Sequence, residues 1–216
     1  MLLNTRELLN YSAIARDGAA GTVRDLLIDD QSWSVRYLVV DTEGFLSDNN
    51  VILSASLVKD VQPIDQEVRL DLTKAEIASS IPASSAPPVS AHHNDPISLN
   101  RSKHDPHLRS AVEIGEYTVL ASDGELGSTV GLIVETATWS VHYVVVGTGE
   151  LLSLKQILLA PQAIRSIDWQ LRQFKTNLTT EAVHACPEYD GEGEITRQYE
   201  AFLHGYYGWH PYWQKV

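Results

Sequence analysis

Residues 33 to 40 read WSVRYLVV, and residues 139 to 146 read WSVHYVVV, 106 positions further on. Sliding the chain by that distance aligns it without a gap from about Leu9 to Thr73. Tyr11 falls on Tyr117, Asp17-Gly18-x-x-Gly21 on Asp123-Gly124-x-x-Gly127, and Leu26 on Leu132. Trp33 falls on Trp139, Tyr37 on Tyr143, Leu46-Ser47 on Leu152-Ser153, Leu53 on Leu159, and Leu72-Thr73 on Leu178-Thr179. The period is too long for a solenoid unit, so each copy reads as a small domain. The chain therefore divides into a first domain (1–83), a linker (84–107), a second domain (108–185) and a tail (186–216).

Within each copy the pattern is β. Period-two alternation puts Trp33, Val35, Tyr37 and Val39 on one expected core face, with Arg36, Leu38 and Val40 on the other. His142 takes the place of Arg36 in the second copy, and this difference marks both as candidate interaction residues. VRDLLIDD (23–30) reads as the strand before, joined to WSVRYLVV by a polar turn. The glycines of D-G-x-x-G are expected where a turn needs positive φ. Shorter strands follow in NVILSAS (50–56) and LVKDVQPI (57–64), and in QILLAPQ (156–162) and AIRSIDWQ (163–170). Thr73 and Thr179 stand as N-caps of a short closing helix. The expected fold is mainly β: two small barrels or strongly bent sheets in tandem, with short helices and an aromatic tail.

Charge and composition exclude several roles. The net charge is −12, and no segment is basic: residues 1–83 carry seven basic against thirteen acidic side chains. Displacing counterions from phosphate needs lysine and arginine, so neither nucleic acid nor an anionic membrane surface is an expected partner. No apolar run approaches the roughly 20 residues of a membrane span. The first residues, MLLNTRELLNYS, lack the basic start of a signal peptide. Cys186 is the single cysteine, and a reducing, cytoplasmic setting is the simplest reading.

The linker holds the metal candidates by residue type, His92, His93, His104 and His107. Linker backbone does not hold ligands in fixed geometry, so solvated side chains are the expectation and no cofactor is expected. His184-Ala185-Cys186 puts a thiol near an imidazole, but alternate residues of an extended chain point apart. Asp29-Asp30 has no paired carboxylate in the second copy. With no catalytic motif in the chain, enzyme activity is not expected. The tail carries eight of the 17 aromatics: Tyr189, Tyr199, Phe202, Tyr206, Tyr207, Trp209, Tyr212 and Trp213. Ile195, Tyr199, Phe202 and Leu203 follow helical spacing, with a stop expected at Gly205. Leaving YYGWHPYW in water is costly, so Tyr206, Tyr207, Trp209, Tyr212 and Trp213 are expected to pack on the chain's own barrels or on another chain.

The stretch D-G-x-x-G-T-V-R-D-L-L-I-D, a polar turn, then V-R-Y-L-V-V-D resembles the PRC-barrel domain. VILSASLVKDV resembles that family's later strand, although its proline stands only in the second copy, at Pro161, where the first has Ser54-Ala55. The second copy also departs at Thr129 (Val23 in the first) and Gly131 (Asp25). The resemblance covers roughly 9–75 and 115–181. Its members include the cytoplasmic domain of the photosynthetic reaction-centre H subunit and a domain of a ribosome maturation factor. It implies a small β-barrel that mediates protein contacts and no enzyme activity. The partner implied is a protein, with an adaptor role, peripheral docking on a photosynthetic or other electron-transfer complex, and a homodimer all open. Binding of a small ligand or metal is the reading from another class.

Overall fold

The computed structural model describes residues 1–42, 50–83, 107–148, 155–191 and 194–214. His92, His93, His104, Leu46-Ser47 and Leu152-Ser153 lie outside the described residues. The chain begins with β1 (Leu2–Asn4), α1 (Thr5–Leu8), β2 (Ser12–Ala15), β3 (Gly18–Asp29) and β4 (Ser34–Asp41). β5 (Asn50–Ser54), β6 (Val58–Gln62), β7 (Glu67–Leu70), α2 (Lys74–Ala78) and β8 (Ile81–Pro82) follow. The second series runs β9 (Leu108–Ser110), α3 (Ala111–Ile114), β10 (Thr118–Leu120), β11 (Glu125–Glu135) and β12 (Ser140–Thr148). It continues through β13 (Lys155–Leu159), β14 (Ile164–Asp168), β15 (Gln173–Thr176), α4 (Thr180–His184) and α5 (Arg197–Tyr207).

Two compact units form, and their limits cross the repeat boundaries. One holds residues 1, 3–115 and 131–142, the other residues 2, 116–130 and 143–216. In the first unit the ladder runs β5-β4-β3-β2-β7-β6. β2 and β7 are parallel and the other neighbours antiparallel. Among the described residues no pairing returns β6 to β5, so this is a bent, open sheet. Val23, Leu26, Leu38, Val40, Val68 and Ile77 are at most 2% exposed and form its core. α2 closes it with a capping box: Thr73 accepts from the Glu76 amide, and Glu76 accepts from the Thr73 amide.

The β3–β4 hairpin corrects the expected alternation. Leu27 faces Tyr37, but Ile28 faces Val35, so Arg36 is an extra residue in a bulge. The bulge resets the parity of the strand. Val35, Leu38 and Val40 are buried, while Tyr37 and Val39 pack half-buried against Leu27, Ile52 and Leu108. Trp33 is not on a strand face at all. It sits in the turn at φ +50°, as Trp139 does at φ +58°. Here the turn geometry overrides the strand pattern: the left-handed conformation, which non-glycine residues seldom adopt, takes both tryptophans out of the strand alternation.

The second unit repeats the ladder at the same register. Ser12↔Glu67 in the first becomes Thr118↔Gln173, and Leu38↔Leu53 becomes Val144↔Leu159. Its core includes Tyr117, Phe174, Val144, Ile157 and Val183. The tail helix α5 does not stop at Gly205. It ends at Gly208, whose φ of +67° supplies the left-handed cap. Gly205 lies inside the helix on its exposed face, where an added methyl would meet nothing within 4 Å. Gly205→Ala is therefore expected to stabilise the chain by about 0.5–1 kcal/mol through helix propensity, read as a raised urea midpoint at unchanged slope.

The first unit also contains an exchange between the two copies. The β9–α3 segment of the second copy lies antiparallel on β3, with Leu27 opposite Ser110 and Asp29 opposite Leu108. Asp25 is its anchor: its carboxylate accepts from the Ser110 hydroxyl at 2.5 Å and from the Val112 amide at 3.2 Å. The corresponding segment of the first copy, around α1, meets the second copy's hairpin. The Leu132 amide donates to the Thr5 hydroxyl at 3.1 Å, and the Thr136 amide to the Met1 carbonyl at 3.0 Å. There the strand residue is Gly131 in place of Asp25, and the cap residue is Asn4 in place of Ser110. A Cβ at Gly131 would lie 2.3 Å from the Asn4 side-chain oxygen. The two departures are thus complementary: acid with serine at one junction, glycine with asparagine at the other.

Burial is the main cause that raises the Asp25 pKa above the ordinary carboxylate range, against the hydrogen bonds from Ser110, Val112 and Leu26. The folded state then holds its proton more tightly than the unfolded chain does. This carboxyl's contribution is full below the ordinary carboxylate pKa and declines as pH rises through the raised value. Asp25→Asn is expected to remove that slope. Denaturation at pH 4 and pH 7 should show the variant gaining on the parent at pH 7; parallel curves would count against the mechanism.

Candidate functional site

The two copies present one surface in two states. Among the described residues of the first unit, an open cleft of about 470 Å³ is bounded by Arg36, Tyr37, Ser54, Ser56, Thr138 and Trp139. The floor forms where β4 and β12 meet, Ser34 opposite Ser140. The Val35 amide donates to the Trp139 carbonyl and the Val141 amide to the Trp33 carbonyl, both at 2.7 Å. This reciprocal pair is a local two-fold, and WSV written twice supplies both halves. The Arg36 guanidinium donates to Asp29 at 3.3 Å and lies 3.5 Å from the Tyr37 hydroxyl, over whose ring it stacks at 5.4 Å. Asp29 is committed to the turn: although burial opposes it, the Ser32 and Gln31 amides and Arg36 hold its carboxyl below the usual range.

In the second unit the equivalent tyrosine is fully covered. Tyr143 is 0% exposed, and its hydroxyl donates to Glu200 at 2.9 Å and lies 2.9 Å from His204 Nε2. Both partners are on α5. Glu200, 1% exposed, also accepts from the Tyr212 hydroxyl at 2.8 Å and pairs with Arg197 at 2.9 Å. Arg197 in turn lies over the Trp213 ring at 4.3 Å. The His204 ring is surrounded by Trp209, Tyr212 and Trp213 at 4.9–6.2 Å. A buried carboxylate with three donors is satisfied rather than reactive. Burial first, then the Glu200 charge, raises the Tyr143 hydroxyl far above the phenol range, and Tyr212 is pushed up to about 12 by the same causes.

Of the tail aromatics expected to pack, Tyr207, Trp209 and Trp213 are half-buried in the second unit, while Tyr206 and Tyr212 stay 40% and 42% exposed. Tyr207 stacks on Trp209 at 4.3 Å, and Tyr206 donates to the Ala182 carbonyl at 2.8 Å. Phe202 differs from its expected buried place: it is 65% exposed, one residue out of phase with Leu203, which is 0% exposed. Cys186 is 3% exposed, its thiol raised mainly by burial, with its Sγ on the Pro187 carbonyl. Arg36 and His142 play matched parts, since His142 Nε2 lies 3.5 Å from Glu135, the counterpart of Asp29. His107 joins Arg109 on Asp30, at 3.0 and 2.8 Å. Among the described residues no cluster of three metal-ligating side chains forms. Glu200, His204 and Arg197 were not singled out by sequence. Their spacing, i, i+3 and i, i+4 around Glu200, was the available signal.

Fold and surface together define a mainly β protein whose strand ladder occurs twice at one register, and among the described residues one tyrosine face is covered by an aromatic helix and its counterpart is open. The family model of the PRC-barrel domain matches residues 3–77, the first copy with its leading α1 segment. No curated protein matches this chain. Among the described residues no helix is long and apolar enough to cross a membrane.

Proposed function

We propose that this chain is a non-enzymatic interaction protein, an adaptor or assembly factor built from two PRC-barrel copies. The observation that carries the reading is the unequal use of one surface. The second copy covers its Tyr143 face with its own tail, whereas the first copy leaves Tyr37 on an open cleft. PRC-barrel domains are interaction modules, which supports the same role. Cross-linking in source cells followed by purification tests it: a reproducible protein partner, lost when Arg36 and Tyr37 are replaced, is the expected result. No reproducible partner would overturn it.

A peripheral role beside a membrane electron-transfer complex, of the kind the reaction-centre H subunit plays, is the finer version, supported by the domain type alone. Absence of the chain from purified complexes of that kind would remove it. The 470 Å³ cleft also supports a small-ligand reading, since it falls in the size range of small-molecule pockets. A thermal-shift screen with metabolites and metals decides that alternative.

A further inference from the structure

The internal repeat supplies a template for what the open cleft holds. Tyr143 is completed by an amphipathic helix that presents a carboxylate, Glu200, to the tyrosine hydroxyl, with a guanidinium and further aromatics beside it. Tyr37 occupies the equivalent strand position, beside the Arg36 guanidinium, in a cleft lined also by Ser54, Ser56, Thr138 and Trp139. The Ser54 and Ser56 hydroxyls bond each other at 2.8 Å and Thr138 donates to Glu135 at 2.7 Å, so an incoming carboxylate is met by the Tyr37 hydroxyl and the Arg36 guanidinium beside it. The Arg36–Asp29 contact is a partly exposed pair, 37% and 17%, and such pairs hold weakly enough to share a second carboxylate.

We propose that the Tyr37 cleft is a docking site for an amphipathic helix of a partner protein, which delivers a carboxylate to the Tyr37 hydroxyl and the Arg36 guanidinium. The helix enters as α5 covers Tyr143, aromatic residues flanking the acid. This rests on the adaptor reading and gives it a site and a partner chemistry. The recognition mode is a helix in a groove, with specificity from one buried acid.

The test uses the full chain and a fluorescent synthetic peptide of residues 195–213, ITRQYEAFLHGYYGWHPYW, followed by anisotropy. Saturable binding is expected, weakened about tenfold by Tyr37→Phe or Arg36→Met in the protein and by Glu200→Gln in the peptide, the value of one charge-assisted hydrogen bond. Tyr143→Phe in the protein should leave the affinity unchanged. No saturable binding, or binding indifferent to Tyr37→Phe, overturns the proposal. So does loss confined to Tyr143→Phe, which would mean exchange with the chain's own tail. A replacement of residues 84–106 by glycine and serine of equal length that tightens binding more than tenfold would make that segment the natural occupant and also overturn it. Circular dichroism melts of each variant separate lost docking from lost folding. Failure of the peptide leaves the adaptor reading to the cross-linking result, which does not depend on it.

Discussion

A chain ending before Ile195 is expected to lose the cooperative folding of its second unit. The truncation removes Ile195, Leu203 and His204, which are 8%, 0% and 3% exposed, and uncovers Tyr143. Losing the burial that each large apolar side chain provides costs roughly 1.5–3 kcal/mol. The Tyr143 hydroxyl loses both Glu200 and His204. Together the loss is about 5 kcal/mol or more, comparable to the whole stability of a small domain. The expected outcome is aggregation, a lost near-ultraviolet signal from Trp169, which the truncated chain keeps against Tyr117 and Phe174, and a melting transition that falls by tens of degrees or disappears. A truncated chain that melts with the parent and stays monomeric would show that the tail is a passenger.

Gly127→Ala is expected to be nearly as damaging, and Gly21→Ala its equal in the first unit. Both residues hold φ near +140°, a region that side chains rarely adopt. A Cβ at either would lie 2.0 Å from a backbone oxygen of the neighbouring strand, Asp41 for Gly21 and Gly147 for Gly127. Backbone inside a ladder cannot step aside, so strain and overlap add to about 3 kcal/mol or more. Guanidinium unfolding of each variant against the parent reads this as a lower midpoint at constant slope. Serine should behave as alanine does, since the Cβ is the offender; a loss under about 1 kcal/mol in either variant would contradict the geometry.

These glycines show how far the sequence could be read. D-G-x-x-G was legible as a turn motif needing positive φ, which Gly18, Gly21 and Gly127 adopt and Gly124 does not. In the structure the second glycine lies in the strand after a bulge, at a close crossing that no local pattern displays. The same holds for Tyr37. Its alternation with Val35 predicts one face, and a single bulge at Arg36 moves it to another. The capped closing helices were readable because a Thr N-cap acts over three residues. The α1 and α3 segments were missed because each completes its sheet through contacts far along the chain, Asp25 with Ser110 and Leu132 with Thr5.

What the sequence determined alone is the duplication, the strand content, the closing helices and the need of the tail to be covered. These follow from short-range physics: periodicity, caps and the cost of exposed aromatic surface. Only the tertiary structure decided which copy's tyrosine is covered and which, among the described residues, stands open, and that the leading segments change copies. Those outcomes depend on matched pairs more than 50 residues apart, Tyr143 with Glu200 and Asp25 with Ser110. A carboxylate is costly to bury alone and stable when met by donors, so its meaning is set by neighbours that only the folded chain assembles.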